Sequence, residues 1–255
     1  MKHVKTLLCL GMMAFAWNTY AATNNNNISP AERAKIEQVV QEYLMSKPEI
    51  IIQAVQKLQQ KQYDEAKQTV KKTQQTATTY SNALFHKPND VVAGNPKGKV
   101  TIVEFFDYQC QHCIDMAPVI QAIISANPDV RIVYKDFPIR GPVSIFAAKA
   151  AIAANKQGKY NEFSHAVLQA KQPLTEDMVL KIAEEQGLDV AQLKKDMDDK
   201  SINDLLNANL QLAKDLKLFG TPALFIGRTD KTGNIEYVPG KTDQKQLQAL
   251  IDKAG

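Results

Sequence analysis

Apolar positions fall into three regimes along the chain. Between Ile28 and Leu58 they recur at helical spacing: Ile36, Val39, Val40, Tyr43 and Leu44 make one stripe, Lys47-Pro48 interrupts it, and Ile51, Ile52, Val55 and Leu58 make another. Ser29-Pro30-Ala31-Glu32 opens the first helix as a capping box, with the Ser29 hydroxyl as cap, Pro30 in the first turn and Glu32 reaching back. From Gln59 to Thr79 the sequence permits helix, but Tyr63, Ala66 and Val70 leave a thin apolar line among glutamines and lysines, which predicts a stalk and not a core.

The third regime begins near Asp90. Val100 to Phe106 is almost continuously apolar, as a strand covered on both faces must be. A helix follows from Cys110 through Ile123 with Pro118 inside it, Asn127-Pro128 ends it, and Val130 to Lys135 is the next strand. From Pro142 to about Leu218 the pattern is helical: alanine-rich from Ile145 to Ala154, then Tyr160 to Ala170, a segment capped by Thr175, Val190 to Met197, and Ile202 to Leu218. Strand signals resume at Ala223 to Gly227, Arg228 to Asn234 reads as a hairpin tip, and Thr242 to Ala254 closes the chain as an amphipathic helix. The fold class is α/β: a sheet interrupted by a helical bundle at about 140–218, forming a unit over 90–255, preceded by a helical segment over 23–89.

The first 22 residues change the compartment. Lys2 and Lys5 give a basic front, Leu7 to Trp17 an apolar stretch too short to span a bilayer, and Thr19-Tyr20-Ala21-Ala22 a small-residue cleavage site, so residues 1–22 read as a secretory signal and the expected location is the periplasm, with outer-membrane association left open. The leader holds two of the 31 basic residues and none of the 27 acidic ones, so the net charge of +4 becomes +2 without it. No basic patch argues for nucleic acid. Of three cysteines, Cys9 lies in the leader, which leaves Cys110 and Cys113 as one close pair in an exported chain. One such pair is not a stapled scaffold; it reads as the reactive centre.

The chemistry concentrates in Val103-Glu104-Phe105-Phe106-Asp107-Tyr108-Gln109-Cys110-Gln111-His112-Cys113. Two cysteines three positions apart at a helix start place both sulfurs on one face, where unpaired backbone N–H groups favour a thiolate. Cys110 is then the low-pKa nucleophile and Cys113 the buried resolving thiol. His112 either adds positive charge beside the thiolate or is simply solvated. Glu104 either relays protons to the resolving thiol from beneath or pairs with a lysine such as Lys135. Half of a zinc site would look the same, but no second Cys pair or His-rich tract completes four ligands, so no metal is expected. His165, in the helical bundle, reads as a structural or surface histidine. Pro222, at the mouth of a buried strand, cannot donate to the ladder, which predicts a cis bond after Thr221.

Glu104, the Cys110-Gln111-His112-Cys113 pair, Pro118, the helical insertion and Gly220-Thr221-Pro222 before a strand together resemble the DsbA-like thiol:disulfide oxidoreductases of the bacterial envelope, over about 90–255. The resemblance implies a thioredoxin-like fold, no cofactor beyond the redox-active Cys110-Cys113 disulfide, and substrate contact by Thr221, Pro222 and Gln111. It departs in two places: Gln111 replaces the proline common in strong oxidases, and threonine before the cis-proline is more typical of isomerase relatives. The 29–79 segment is similar to that of N-terminally extended oligomeric members, which implies a homodimer or trimer; packing on the chain's own catalytic domain is the alternative.

The activity so implied is thiol–disulfide exchange on unfolded or misoxidised exported proteins. A membrane quinone-linked thiol oxidase would recharge an oxidase, and a membrane thiol reductase would keep an isomerase reduced. A contrasting reading is a non-enzymatic envelope chaperone or a copper-binding protein that uses the same two cysteines for Cu(I).

Overall fold

The computed structural model describes residues 28–171, 173–230 and 233–255. The expected leader, 1–22, and residues 23–27 after it lie outside the described residues. Backbone packing divides the chain into two units, Met1–Gln60 and Lys61–Gly255.

In the first unit, α1 (Pro30–Ser46) begins as the sequence predicts: the Glu32 N–H donates to the Ser29 hydroxyl, and the Glu32 carboxylate accepts from the Ser29 N–H at 2.9 Å. Lys47 caps its end, Pro48 follows, and α2 (Glu49–Thr79) starts one residue later. α1 buries none of its residues; Ile36, Val39, Val40 and Tyr43, and after them Ile51, Ile52, Val55 and Leu58, are exposed. Ile36, Val40, Leu44, Met45 and Ile51 line one shallow apolar surface.

The second unit is built on a five-stranded sheet of order β1-β3-β2-β4-β5: β1 (Val91–Gly94), β2 (Val100–Phe106), β3 (Val130–Asp136), β4 (Ala223–Arg228) and β5 (Glu236–Pro239). β2 and β3 pair in parallel from Val100↔Val130 to Phe106↔Asp136, and the other pairings are antiparallel. Every residue of β2 is buried, which explains its unbroken apolar run. Its side chains alternate between faces: Val103 and Phe105 join a core with Phe225 and Tyr237, whereas Ile102 joins Met116, Ile120 and Ile123 of α4 (Gln111–Ala126). Glu104 therefore falls on the face that α4 covers.

Between β3 and β4 stand α5 (Pro142–Lys156), α6 (Tyr160–Leu168), α7 (Glu176–Glu185), α8 (Val190–Met197) and α9 (Lys200–Asp215). α5 is the bundle's axis: six alanines from Ala147 to Ala154 are buried, and their small side chains let α6, α8 and α9 approach. α10 (Gln244–Ala254) closes against α4 and β4.

The stalk differs from the sequence expectation at its end. Ala77 of α2, then Leu84 and Phe85 of α3 (Ser81–Phe85), are buried against the sheet face that carries Val103 and Phe105, and buried Thr73 of α2 donates to the Leu216 carbonyl at 3.4 Å. The Lys135 ammonium bonds the Ala83 carbonyl at 3.0 Å and Asp90 at 2.6 Å, and Arg131 bonds the Phe85 carbonyl at 2.7 Å. One face of residues 70–85 thus packs into the core of the second unit. A single apolar line was too thin to announce this, because the anchors are polar atoms from β3.

Candidate active site

Cys110 is the N-cap of α4, in extended conformation, and Cys113 is the third helical residue after it. That offset aims both sulfurs at the helix's first turn, where backbone N–H groups have no partner of their own. The Thr221–Pro222 peptide is cis, as expected, and the Thr221 carbonyl accepts from the Cys110 thiol at 3.2 Å. Both cysteines are reduced and buried, each 1% exposed.

Their environments push them apart. Hydrogen bonding from the Cys113 thiol draws Cys110 down to about 4; the Thr221 side chain and the N–H groups of Cys113 and His112 act in the same sense, against burial. Burial, the bond it gives to Cys110 and the charge of Glu104 push Cys113 far up. At neutral pH this makes one thiolate and one neutral thiol from the same pair.

Glu104 is buried and pushed up to about 8, chiefly by burial and next by the Cys110 charge. It borders a cavity of about 20 Å³ with Cys113, Tyr134, Asn161, Ser164 and His165, room for about one water. The alternative pairing with Lys135 does not occur, because Lys135 takes Asp90. His112 and Gln111 are exposed; His112 acts on the sulfur through its main-chain N–H, and the Gln111 amide bonds Asp115 at 3.0 Å, which in turn pairs with Lys241 at 2.9 Å. His165, expected to be structural, is half-buried at the edge of the Glu104 cavity.

Sequence reasoning missed the brace around the motif. Buried Asp107 accepts through Oδ2 from the N–H groups of Ile139 (2.7 Å) and Arg140 (3.0 Å), and through Oδ1 from the Gln109 N–H (2.7 Å) and the Ser144 hydroxyl (2.8 Å). The Gln109 amide donates to the Arg140 carbonyl and to Ser144 Oγ. Arg140 in turn reaches Cys110 Sγ at 3.9 Å. The available signal was an acidic residue ending an apolar strand, three positions before a cysteine.

Residues 101–252, more than half of the chain and the span that includes Glu104, both cysteines and Pro222, match the DSBA-like thioredoxin domain. The chain belongs to that family. A thioredoxin-like oxidoreductase from Silicibacter pomeroyi is 42% identical, with a TM-score of 0.63 over 68% of this chain and 96% of its own. Salmonella enterica Typhimurium BcfH is 33% identical, with a TM-score of 0.67 over 88% of this chain and 96% of its own. The probable disulfide bond formation protein D of Bacillus cereus is 27% identical over 185 residues, 68% of this chain and 82% of that protein. The match to the Na(+)/H(+) antiporter NhaA 3 of Salinispora tropica spans only 21% of the antiporter's length. Residues 32–65 separately match the copper resistance protein ScsC N-terminal domain. The fold is thus the thioredoxin-like α/β fold that the motifs implied.

Proposed function

We propose that this protein catalyses thiol–disulfide exchange on exported proteins in the periplasm, isomerising wrong disulfides as well as forming new ones. The observation that carries the reading is the split between a Cys110 held near 4 and a Cys113 pushed far up, with the Thr221 carbonyl, just before the cis-proline, 3.2 Å from the attacking sulfur. In isomerisation the Cys110 thiolate attacks a substrate disulfide, forms a mixed disulfide and releases one substrate thiolate. That thiolate, or another in the substrate, then attacks the substrate sulfur of the mixed bond and returns the electron pair to Cys110. Cys113, its proton taken by Glu104, resolves complexes that stall; this leaves the Cys110-Cys113 disulfide and a reduced substrate. In oxidation the same steps run backwards, starting from that disulfide.

A membrane thiol reductase would renew the reduced form and a quinone-linked oxidase the oxidised one. The exposed stripe over α1 and the start of α2 supports a dimer or trimer, in which separate active sites face one bound substrate. A related solved structure, a periplasmic thioredoxin-like protein from Salmonella enterica serovar Typhimurium at 26% identity, supports the compartment.

Scrambled, fully disulfide-bonded ribonuclease incubated with the reduced protein tests this reading. Activity should return with wild type and not with Cys110→Ser. If wild type neither rescues scrambled ribonuclease nor, when oxidised, introduces disulfides into the reduced enzyme, the exchange mechanism is wrong.

A further inference from the structure

We infer that Arg140 is the cationic partner of the Cys110 sulfur, a catalytic residue supplied by the loop between β3 and α5 and held in place by buried Asp107. The inference deepens the exchange function above and rests on it for its biological meaning, though not for its test. Its guanidinium lies 3.9 Å from Cys110 Sγ. The backbone that carries it is fixed at three points: Asp107 accepts from the N–H groups of Ile139 and Arg140, and Gln109 binds the Arg140 carbonyl at 3.2 Å. Gly141 follows with φ of 101°, a left-handed turn that returns the chain into α5 at Pro142. Asp107 is therefore a positioning residue: one carboxylate fixes the cysteine's own turn, through Gln109, and the loop that faces it.

The charged and titratable groups facing Cys110 come from several elements. α4 gives Cys113, whose thiol donates to it, and His112; β2 gives Glu104, and the turn after β2 gives Asp107, both acidic; the β3–α5 loop gives Arg140. The cis-proline loop offers Thr221, which does not titrate. Two carboxyl groups near a developing thiolate oppose it, and the guanidinium offsets them. A guanidinium keeps its charge across the working range of any exported protein.

The step served is charge transfer to Cys110. When a substrate thiolate attacks the substrate sulfur of the mixed disulfide, the bond to Cys110 breaks and its electron pair stays on Cys110 Sγ, beside Arg140. No proton moves to or from the guanidinium. In the opposite direction the same contact holds the attacking thiolate before it forms the mixed bond.

Arg140→Gln keeps both N–H groups that Asp107 accepts and removes only the charge. The reduced full chain is titrated by thiolate absorbance in the ultraviolet, and its disulfide is equilibrated with glutathione. Because Arg140 is exposed, the expected rise in the Cys110 midpoint is about half a unit to one unit, with an oxidising equilibrium weakened about three- to tenfold. Arg140→Lys should recover most of both. In the wild type, raising salt should move the midpoint upward, a measurement that holds even if the Gln variant folds poorly. A midpoint unmoved by Arg140→Gln, a Lys variant no better than Gln, or a wild-type midpoint indifferent to salt overturns the inference. If glutathione exchange fails while the midpoint still follows Arg140, the proposed activity falls and this charge pairing stands.

Discussion

The Cys110 thiol donates to the Thr221 carbonyl, while the Thr221 hydroxyl is buried with no hydrogen-bond partner of its own. The two facts describe one switch. Once the sulfur ionises it can no longer donate to the carbonyl, and the idle hydroxyl becomes a donor to it. Thr221→Val should therefore raise the Cys110 midpoint by about half a unit to one unit and, by linkage, lower the stability of the reduced protein at pH 7 by about 0.7–1.4 kcal/mol. Thiolate absorbance and urea unfolding on the same samples read both. A midpoint that stays put would mean the hydroxyl never reaches the thiolate.

Stability should depend on pH differently in the two redox states. Cys110 has its folded value near 4, below the ordinary 9.0. The reduced fold therefore gains stability above about pH 4, fully by 9, and loses it as pH falls through 4. The oxidised fold has no such thiol. At about 1.4 kcal/mol per unit, the gain at pH 7 is several kcal/mol at most. Glu104 works the other way: raised from 4.5 to about 8, it contributes fully below 4.5 and loses that contribution as pH rises through 8. Reduced protein should resist more urea than oxidised protein at pH 7, with the gap closing toward pH 4. A gap that widens on acidification would contradict the assigned thiolate.

Glu104→Gln keeps the side chain's volume but cannot take the Cys113 proton. Stalled mixed disulfides should persist about a hundredfold longer or more, with Cys110 attack almost unchanged, because general base catalysis typically contributes about 10²–10⁴-fold. Quenching with acid and weighing the trapped complexes measures this. Equal lifetimes would remove Glu104 from the mechanism.

The Lys135–Asp90 pair is buried at 0% and 1% side-chain exposure, and burial pushes both groups toward their neutral forms against their mutual attraction. Removing one partner strands a charge. Lys135→Ala should cost about 3–5 kcal/mol, and Lys135→Met with Asp90→Leu should recover most of it. Chemical denaturation checks both, and the Cys110 midpoint should not move in either.

Val40→Asp places a charge in the shallow apolar surface lined by Ile36, Leu44 and Ile51. If copies pair there, light scattering should show the assembly falling to monomers, and ribonuclease isomerisation should drop while glutathione exchange is retained. An unchanged mass would send the stripe's purpose elsewhere.

Much of this was legible in the chain. Continuous burial wrote β2 as an apolar run, the Ser29–Glu32 box marked the start of α1, and the strand-mouth proline announced its own cis bond. Spacing alone anticipated the opposite directions in which Cys110 and Cys113 are shifted. What stayed hidden depends on polar side chains meeting across long sequence separations. Asp107 and Arg140 stand 33 residues apart, and Lys135 reaches Ala83 across 52. Periodicity records which face is covered, not which carbonyl a lysine finds. His112 shows the converse: its place between the cysteines suggests either a side-chain charge or a solvated ring, and the structure shows an exposed ring with a backbone N–H that acts on Cys110.

Gln111 and His112 both point into solvent, at the one place where the helix start and the sulfur meet. Neither side chain is part of the hydrophobic core, so exchanging them should leave folding intact while altering the field at Cys110. These two positions are a dial set on an otherwise rigid instrument. Both positions can change with every buried contact retained, so the electrostatics around the sulfur are separable from the fold that holds it.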